Sequence, residues 1–224
     1  AGMILGIQVT SENSAINALK AGADYLVVQG LEAGGHVHAS RPLANALQRI
    51  IPIAKSVPVV ASGGIATGSD IKKYFELGAA GVVMGSRFVA TQESMAHAEY
   101  KKTLVASSYE DTVFTVCLNK YWGNATHRVI RNQTFEMWEA AGCPQANQRP
   151  GEGDVIARYI ANDKPVIRYQ STPPSTELSG QVKDMAMYAG KGINHIHDIP
   201  KAADVIDRIW QEYLGLVKIP ANAS

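Results

Sequence analysis

Val28-Gln29-Gly30-Leu31-Glu32-Ala33-Gly34-Gly35-His36 is followed down the chain by Val57-Pro58-Val59-Val60-Ala61-Ser62-Gly63-Gly64-Ile65, and then by Gly81-Val82-Val83-Met84-Gly85-Ser86-Arg87-Phe88. Each stretch is a short apolar run, rich in β-branched residues, that stops at glycine. A strand ending in Gly-Gly or Gly-Ser leaves backbone N–H groups bare, because no Cβ blocks the approach of a ligand. Three such ends in series, separated by segments of helical length, predict the ligand face of a parallel α/β barrel. The ligand expected there is a phosphate-bearing cofactor, with His36 beside it.

The pattern extends in both directions. Residues 3–9 read as a strand and 11–21 as a helix, with Thr10 or Ser11 as N-cap and Gly22 closing its end. A strand over 25–29 precedes the glycine-rich loop. Residues 43–56 are helical by periodicity, with Pro52 as a possible point of division. A strand over 58–61, a helix over 69–77 with Asp70 near its start, a strand over 81–84 and a helix beginning at 87–99 complete the alternation. Such βαβα order implies right-handed crossovers onto a parallel sheet. Only four strands are legible, whereas a closed (β/α)8 barrel has eight. From about residue 106 the character changes. Residues 114–118 suggest one more strand. Residues 142–181 are rich in Pro, Gly, Asn and Ser, with a helix-like interlude at 154–161, and 185–188 and 202–213 read as closing helices. The chain therefore divides into residues 1–105, an α/β unit, and 106–224, a mostly helical segment packing upon it.

With 224 residues, 46% of them hydrophobic, the chain is long and apolar enough to bury a core. A net charge of +1 makes no electrostatic case for nucleic acid or an anionic membrane. The adjacent pairs Lys72-Lys73 and Lys101-Lys102 read as solvated helix faces. No apolar run approaches the ~18 residues of a membrane-spanning helix. Cys117 and Cys143 lack metal-like spacing and read as free thiols of a reducing compartment. His195-x-His197 has no third ligand nearby, so no metal site is expected. The chain opens Ala1-Gly2-Met3 and runs at once into a strand-like segment, which reads as a fragment without a signal sequence, and the cytoplasm is the expected location.

The ordered set Gln29-Gly-x-Glu-Ala-Gly-Gly-His36, Pro58-Val-x-Ala-x-Gly-Gly-Ile65 and Gly81-Val-x-Met-Gly-Ser-Arg-Phe88 resembles the nitronate monooxygenases, once called 2-nitropropane dioxygenases. Met187-Tyr188-Ala189-Gly190-Lys191-Gly192 and the helix after Asp198-Ile199-Pro200 look like that family too. The resemblance is strongest over 3–95 and 180–213. It implies a TIM barrel holding FMN, capped by a helical segment. Matched to the family, this chain begins near the fifth barrel strand, so 1–105 is the C-terminal half of the barrel and the early strands have no counterpart.

Gly63 and Gly64 follow a strand and precede a helix, a setting suited to a phosphate dianion. By resemblance the FMN phosphate lies between this turn, Ser62 included, and the next strand end, Val83-Met84-Gly85-Ser86, where Ser86 stands in place of a more usual threonine. Gln29, by the same resemblance, faces the flavin ring. Its alternative role is to satisfy the neighbouring loop. Gly34 and Gly35 let the loop backbone lie close to the flavin, and Glu32 is read as structural. Arg87 either balances the phosphate charge or caps the local helix. His36 is the candidate catalytic residue, because imidazole titrates near neutrality and can accept a proton or bind an anion. His38 is the second candidate, and in an extended loop only one of the two faces the flavin. Tyr121, Trp122 and Trp138 are candidates for a substrate pocket or for core packing.

The reaction implied by the resemblance is FMN-dependent oxidation of alkyl nitronates or nitroalkanes by dioxygen, giving a carbonyl compound and nitrite. Two alternatives remain open at this point. One is a flavin-dependent NAD(P)H reductase of the enoyl or quinone reductase kind on the same barrel. The other is a non-catalytic remnant that binds a phosphorylated ligand or a partner. Self-association through open sheet edges is also expected.

Overall fold

Four apolar runs align as one parallel sheet because a helix after each of the first three carries the chain back across it. A computed structural model describes residues 2–123 and 125–217. Strands β1 (Gly6–Val9), β2 (Tyr25–Gln29), β4 (Val59–Ser62) and β5 (Gly81–Val83) lie in the order β1-β2-β4-β5, all parallel. Between β2 and β4 the glycine loop forms the short strand β3 (Gly35–His36). Helix α1 (Glu12–Lys20) starts at Ser11, in a capping box with Ser14. Helix α2 (Leu43–Ala54) runs through Pro52 undivided. Pro52 sits in the last turn, where a missing N–H costs a single ladder bond. Helix α3 (Gly68–Glu76) starts at Thr67, in a capping box with Asp70.

Side chains alternate across a strand, so one set faces these helices and the other faces away. Val9, Leu26, Val28, Val59 and Ala61 bury themselves against Ala15, Ala18, Leu43, Leu47 and Ile50. Gln8, Gln29, Ser62 and Val83 point to the opposite face, where the site lies.

After β5 the expected helix over 87–99 is broken. Helix α4 (Ser86–Val89) ends at Ala90, whose carbonyl accepts from the Arg87 guanidinium, and α5 (Ala98–Ala106) begins only after an extended stretch in which Ala96 pairs with Ser175. The segment beyond is not mostly helical, contrary to expectation. It contains β6 (Thr112–Thr115), β7 (His127–Ile130), α6 (Gln133–Ala140), β8 (Val155–Tyr159), β9 (Pro165–Ile167), β10 (Leu178–Gly180) and α7 (Ala202–Leu216). Its strands build two antiparallel sheets, β3-β7-β6 and β10-β8-β9. The strand expected at 114–118 forms slightly earlier, as β6. The helix-like interlude at 154–161 is strand β8. A register shift between Val155 and Ala157 leaves Ile156 and Ala157 both buried, which erases the alternation that marks a strand. Residues 185–188 are extended rather than helical: the Ile130 N–H donates to the Met187 carbonyl and Tyr188 bridges Val129, widening the β7 sheet. Among the described residues no helix is long and apolar enough to cross a membrane.

Helix α7 returns to pack on α3, burying Val205 and Ile209 against Ile71. The approach is close because Gly68 has no side chain. A Cβ there would lie 2.4 Å from the Tyr213 nitrogen and 2.7 Å from the Ile209 oxygen. Gly68→Ala should therefore destabilise the fold by about 1–3 kcal/mol, despite alanine's better helix propensity. Urea denaturation checks this, and an unchanged or raised midpoint would contradict the packing.

Candidate functional site

The C-terminal ends of the parallel strands open onto a cavity of 730 Å³. Its floor is a row across the sheet, Gln29 beside Ser62 beside Val83, fixed by the parallel register. Gln8, one row lower and not singled out from sequence, lies on the same face. Ser62, Gly63, Gly64, Val83, Gly85 and Ser86 line one side, and Gln29, Gly34, Gly35 and His36 another. Met84 is the exception among the residues expected here. The period-two alternation turns its side chain to the other face, where it packs with Ile71, Val82, Phe88 and Ile209.

Gly63 and Gly64 adopt φ of 122° and 71°, a backbone region that L side chains rarely enter. The N–H groups of Gly63, Gly64, Gly85 and Ser86 have no acceptor among the described residues. A Cβ at Gly85 would meet open space, so the cavity reaches that backbone unobstructed. The Ser86 hydroxyl accepts from the Gly190 N–H at 3.1 Å and keeps its own hydrogen to donate. This is a cradle of bare donors, of the kind that binds a phosphate. Two expected contributors are engaged elsewhere. The α3 N-terminus is closed by its own cap: Asp70 accepts from the N–H groups of Ala66 and Thr67 at 3.0 and 3.1 Å. Arg87, 1% exposed, turns away to pair with Asp198 at 2.8 Å and to cap the Asp198 and Ala90 carbonyls. Hydrogen bonds from Arg208 and Arg87 hold the Asp198 carboxyl down at about 2. The second of the two roles weighed for Arg87 is thus the one the structure shows.

Gln29 likewise serves the loop. Its Nε2 donates to the His36 carbonyl at 2.9 Å and its Oε1 accepts from the His38 N–H at 3.1 Å, clamping 36–38 from both ends. The carboxamide expected to face a flavin edge is largely spent on this clamp. Gly34 and Gly35 also part company. A Cβ on Gly34 would collide with Ala189 and Gly190 at 2.5 Å, whereas Gly35, at φ 77°, faces open space. Gly34 is required by backbone packing, and Gly35 is the one beside the cavity with room around it. The Glu32 carboxylate accepts from the Leu43 N–H at the start of α2, a structural role as expected.

The clamp presents His36 to the cavity and leaves His38 exposed. His36 is ringed by aromatic groups: Trp122 stacks on it at 4.5 Å, and His127 and Tyr188 tilt against it at 5.7 Å. Burial, with a smaller push from His38, lowers the His36 pKa, so the ring is an unprotonated base at neutral pH. Among the described lining residues it alone has a side chain whose ordinary pKa lies near neutrality. Trp138 packs in a core cluster with Phe135 and Cys117 instead, and Tyr121 is exposed. Sequence reasoning missed the far wall, built by Tyr188, Tyr100, Met95 and 173–175. Tyr188 carried a signal, since it lies inside the glycine motif at 187–192. The others carried none.

His127, not singled out from sequence, is the ring's buried support. It is fully buried, its Nε2 accepts from the Leu118 N–H at 3.2 Å, and its Nδ1 lies 3.0 Å from the Ala125 carbonyl, which fixes the proton on Nδ1. Burial pushes its pKa from 6.5 down to about 4. The unfolded chain therefore takes up a proton below pH 6.5 that the folded chain refuses until about pH 4. Stability is full above that window and falls as pH drops through it, by up to about 3 kcal/mol. Urea midpoints at pH 7 and 5 should fall more for the parent than for His127→Gln, and parallel pH profiles would contradict this.

The sequence model of the nitronate monooxygenase family matches residues 1–212. The chain is 36% identical over 219 residues to a nitronate monooxygenase of Pseudomonas aeruginosa, covering 95% of this chain and 57% of that protein. It is 37% identical over 200 residues to a probable nitronate monooxygenase of Bacillus subtilis, covering 85% and 52%. The chain thus spans little more than half the length of these relatives. Among solved structures, FabK from Thermotoga maritima is 25% identical with a TM-score of 0.68, covering 97% of this chain and 63% of that one. A nitroalkane oxidase from Streptomyces ansochromogenes shares the fold, at 24% identity and a TM-score of 0.71, covering 96% and 58%. The fold is α/β with TIM-barrel-like neighbours, and the chain belongs to the nitronate monooxygenase family, a family of oxidoreductases.

Proposed function

We propose that this chain carries the cofactor and proton-transfer site of an FMN-dependent enzyme that oxidises alkyl nitronates or nitroalkanes with dioxygen, releasing a carbonyl compound and nitrite. The observation that carries this reading is the pairing of His36, kept unprotonated by burial, with an uncharged cradle of bare N–H groups in one cavity. The cradle tests the fit of the cofactor: Gly63 and Gly64 in left-handed backbone, Gly85 facing open space and a Ser86 hydroxyl with a hydrogen to give suit the phosphate of FMN. FMN, when bound, supplies the redox chemistry, taking electrons from the substrate and passing them to dioxygen.

The chain's own residues do the rest. Gly63, Gly64, Gly85 and Ser86 hold the phosphate, with Ser62, Val83 and the Met84 main chain forming the floor between. Gly35 leaves room for the ring beside the loop. His36 takes the proton from the carbon bearing the nitro group of a neutral nitroalkane, and a nitronate arrives with that proton already gone. Gln29 keeps the loop that carries His36 from shifting.

On this reading residues 1–105 are four βα units of a (β/α)8 barrel, and the segment from 106 onward caps it. Parallel sheets have both faces covered. Among the described residues β1 and β5 each have a single strand partner, so they are the edges along which further strands or a second copy would close the barrel. The competing reading is a flavin reductase of the enoyl or quinone reductase kind, driven by NAD(P)H on the same barrel. Anaerobic mixing separates the two: bleaching of the flavin by a nitronate and not by NADH is expected. His36→Asn should slow turnover of neutral nitroalkanes by about 10²–10⁴-fold while sparing nitronates. Equal turnover of both forms by variant and parent would overturn the role given to His36.

A further inference from the structure

We infer that Trp122 is a positioning residue, an indole lid that covers one face of the His36 imidazole and limits access to the ring. The indole lies 4.5 Å from the imidazole centroid with 25° between the planes, a stacked pair. It is 60% exposed, so one face covers His36 while the rest meets solvent. His36 Nε2 is itself buried and has no hydrogen-bond partner among the described residues, an arrangement that costs free energy unless a ligand or solvent reaches the atom at some stage. On the other sides His127 is locked in place and the Tyr188 hydroxyl donates to the Ser171 carbonyl, so neither yields. Of the three aromatic rings against it, Trp122 is the one that sits in a turn.

That turn has a firm base and a bent tip. The Lys120 N–H donates to the Tyr169 carbonyl and the Trp122 N–H to the Asn119 carbonyl, both at 2.8 Å, and the Asn119 side chain donates to the Gly123 carbonyl. Tyr121 and Gly123, on either side of the indole, hold φ of 71° and 62°. Swinging the indole away breaks one stacked pair and leaves the base untouched. The lid's consequence for catalysis rests on the reading of His36 as the proton acceptor; the access it controls does not.

The test is the rate at which diethylpyrocarbonate modifies His36, followed by peptide mass spectrometry on the full chain, with exposed His38 as internal reference. Trp122→Ala should speed modification of His36 about fivefold relative to His38, the factor that loss of one stacked ring pair implies. Trp122→Phe, which can still stack, should restore the parent rate. Equal rates in parent and Trp122→Ala overturn the proposal. Should Trp122→Ala not fold, the parent decides. An imidazolium stacked on an indole quenches its emission, so fluorescence should fall on acidification through the His36 titration, and His36→Asn should lose that step. Superimposable curves overturn the lid. The titrating groups around the ring are His38 on its own loop, His127 on β7 and Tyr188, and all are present in both proteins. In an active preparation, Trp122→Ala should shift the acid limb of the kcat/KM pH profile upward, because an uncovered His36 is less desolvated. Failure of nitronate turnover would leave the modification rates informative, so the two readings fail separately.

Discussion

Two glycine backbones pressed together hold the site in place. A Cβ on Gly34 would lie 2.5 Å from the Gly190 nitrogen, and one on Gly190 would lie 2.6 Å from the Gly34 nitrogen. No other residue fits at either position without parting the strands of chain. The contact fastens the loop after β2 to a segment more than half the chain away. The Lys191 N–H then donates to the Glu32 carbonyl at 2.8 Å, and the Gly190 N–H to Ser86 Oγ, so the same clasp reaches the end of β5. His36, Tyr188 and the cradle of bare N–H groups are neighbours because of it.

Around the clasp the parts divide their labour. The parallel sheet sets the floor, since its register places Gln29, Ser62 and Val83 in one row and sends the alternate residues into the core. The later antiparallel sheet holds His36 through its pairing with His127. Charge is kept away from the cavity wall. Arg87 is turned to Asp198, Asp70 is spent on its helix cap and Glu32 on the start of α2. What remains is an apolar cavity whose polar features are backbone N–H groups, hydroxyls, carboxamides and one neutral imidazole. Such a wall favours a proton acceptor that stays uncharged until substrate arrives.

The legible half of the fold was legible because its signals are local. A β-branched run, a glycine, a capping residue and a helical stretch recur, and the order β1-β2-β4-β5 follows from βαβ crossovers. Beyond residue 106 the signals are non-local. Strand β8 lost its alternation to a bulge, β9 and β10 are three residues long, and 185–188 are extended only because β7 offers an edge. The site shows the same divide. Gly63, Gly64, Gly85 and Ser86 announced themselves by lying at strand ends. Gln29 did not reveal that its carboxamide clamps its own loop, and Met84 was misplaced by one step of the strand period. The wall from Met95 and 173–175 is assembled by an isolated bridge, Ala96 to Ser175, which no composition or spacing encodes.

The central claim is that bare N–H groups at two strand ends hold the phosphate of a flavin. Binding of FMN and of riboflavin to the purified chain, followed side by side by the change in flavin fluorescence, tests it most directly, because the two ligands differ only in that phosphate. FMN should bind and riboflavin should bind far more weakly, with Gly64→Ala erasing the difference. Equal affinity for the two, or FMN binding untouched by Gly64→Ala, would contradict it.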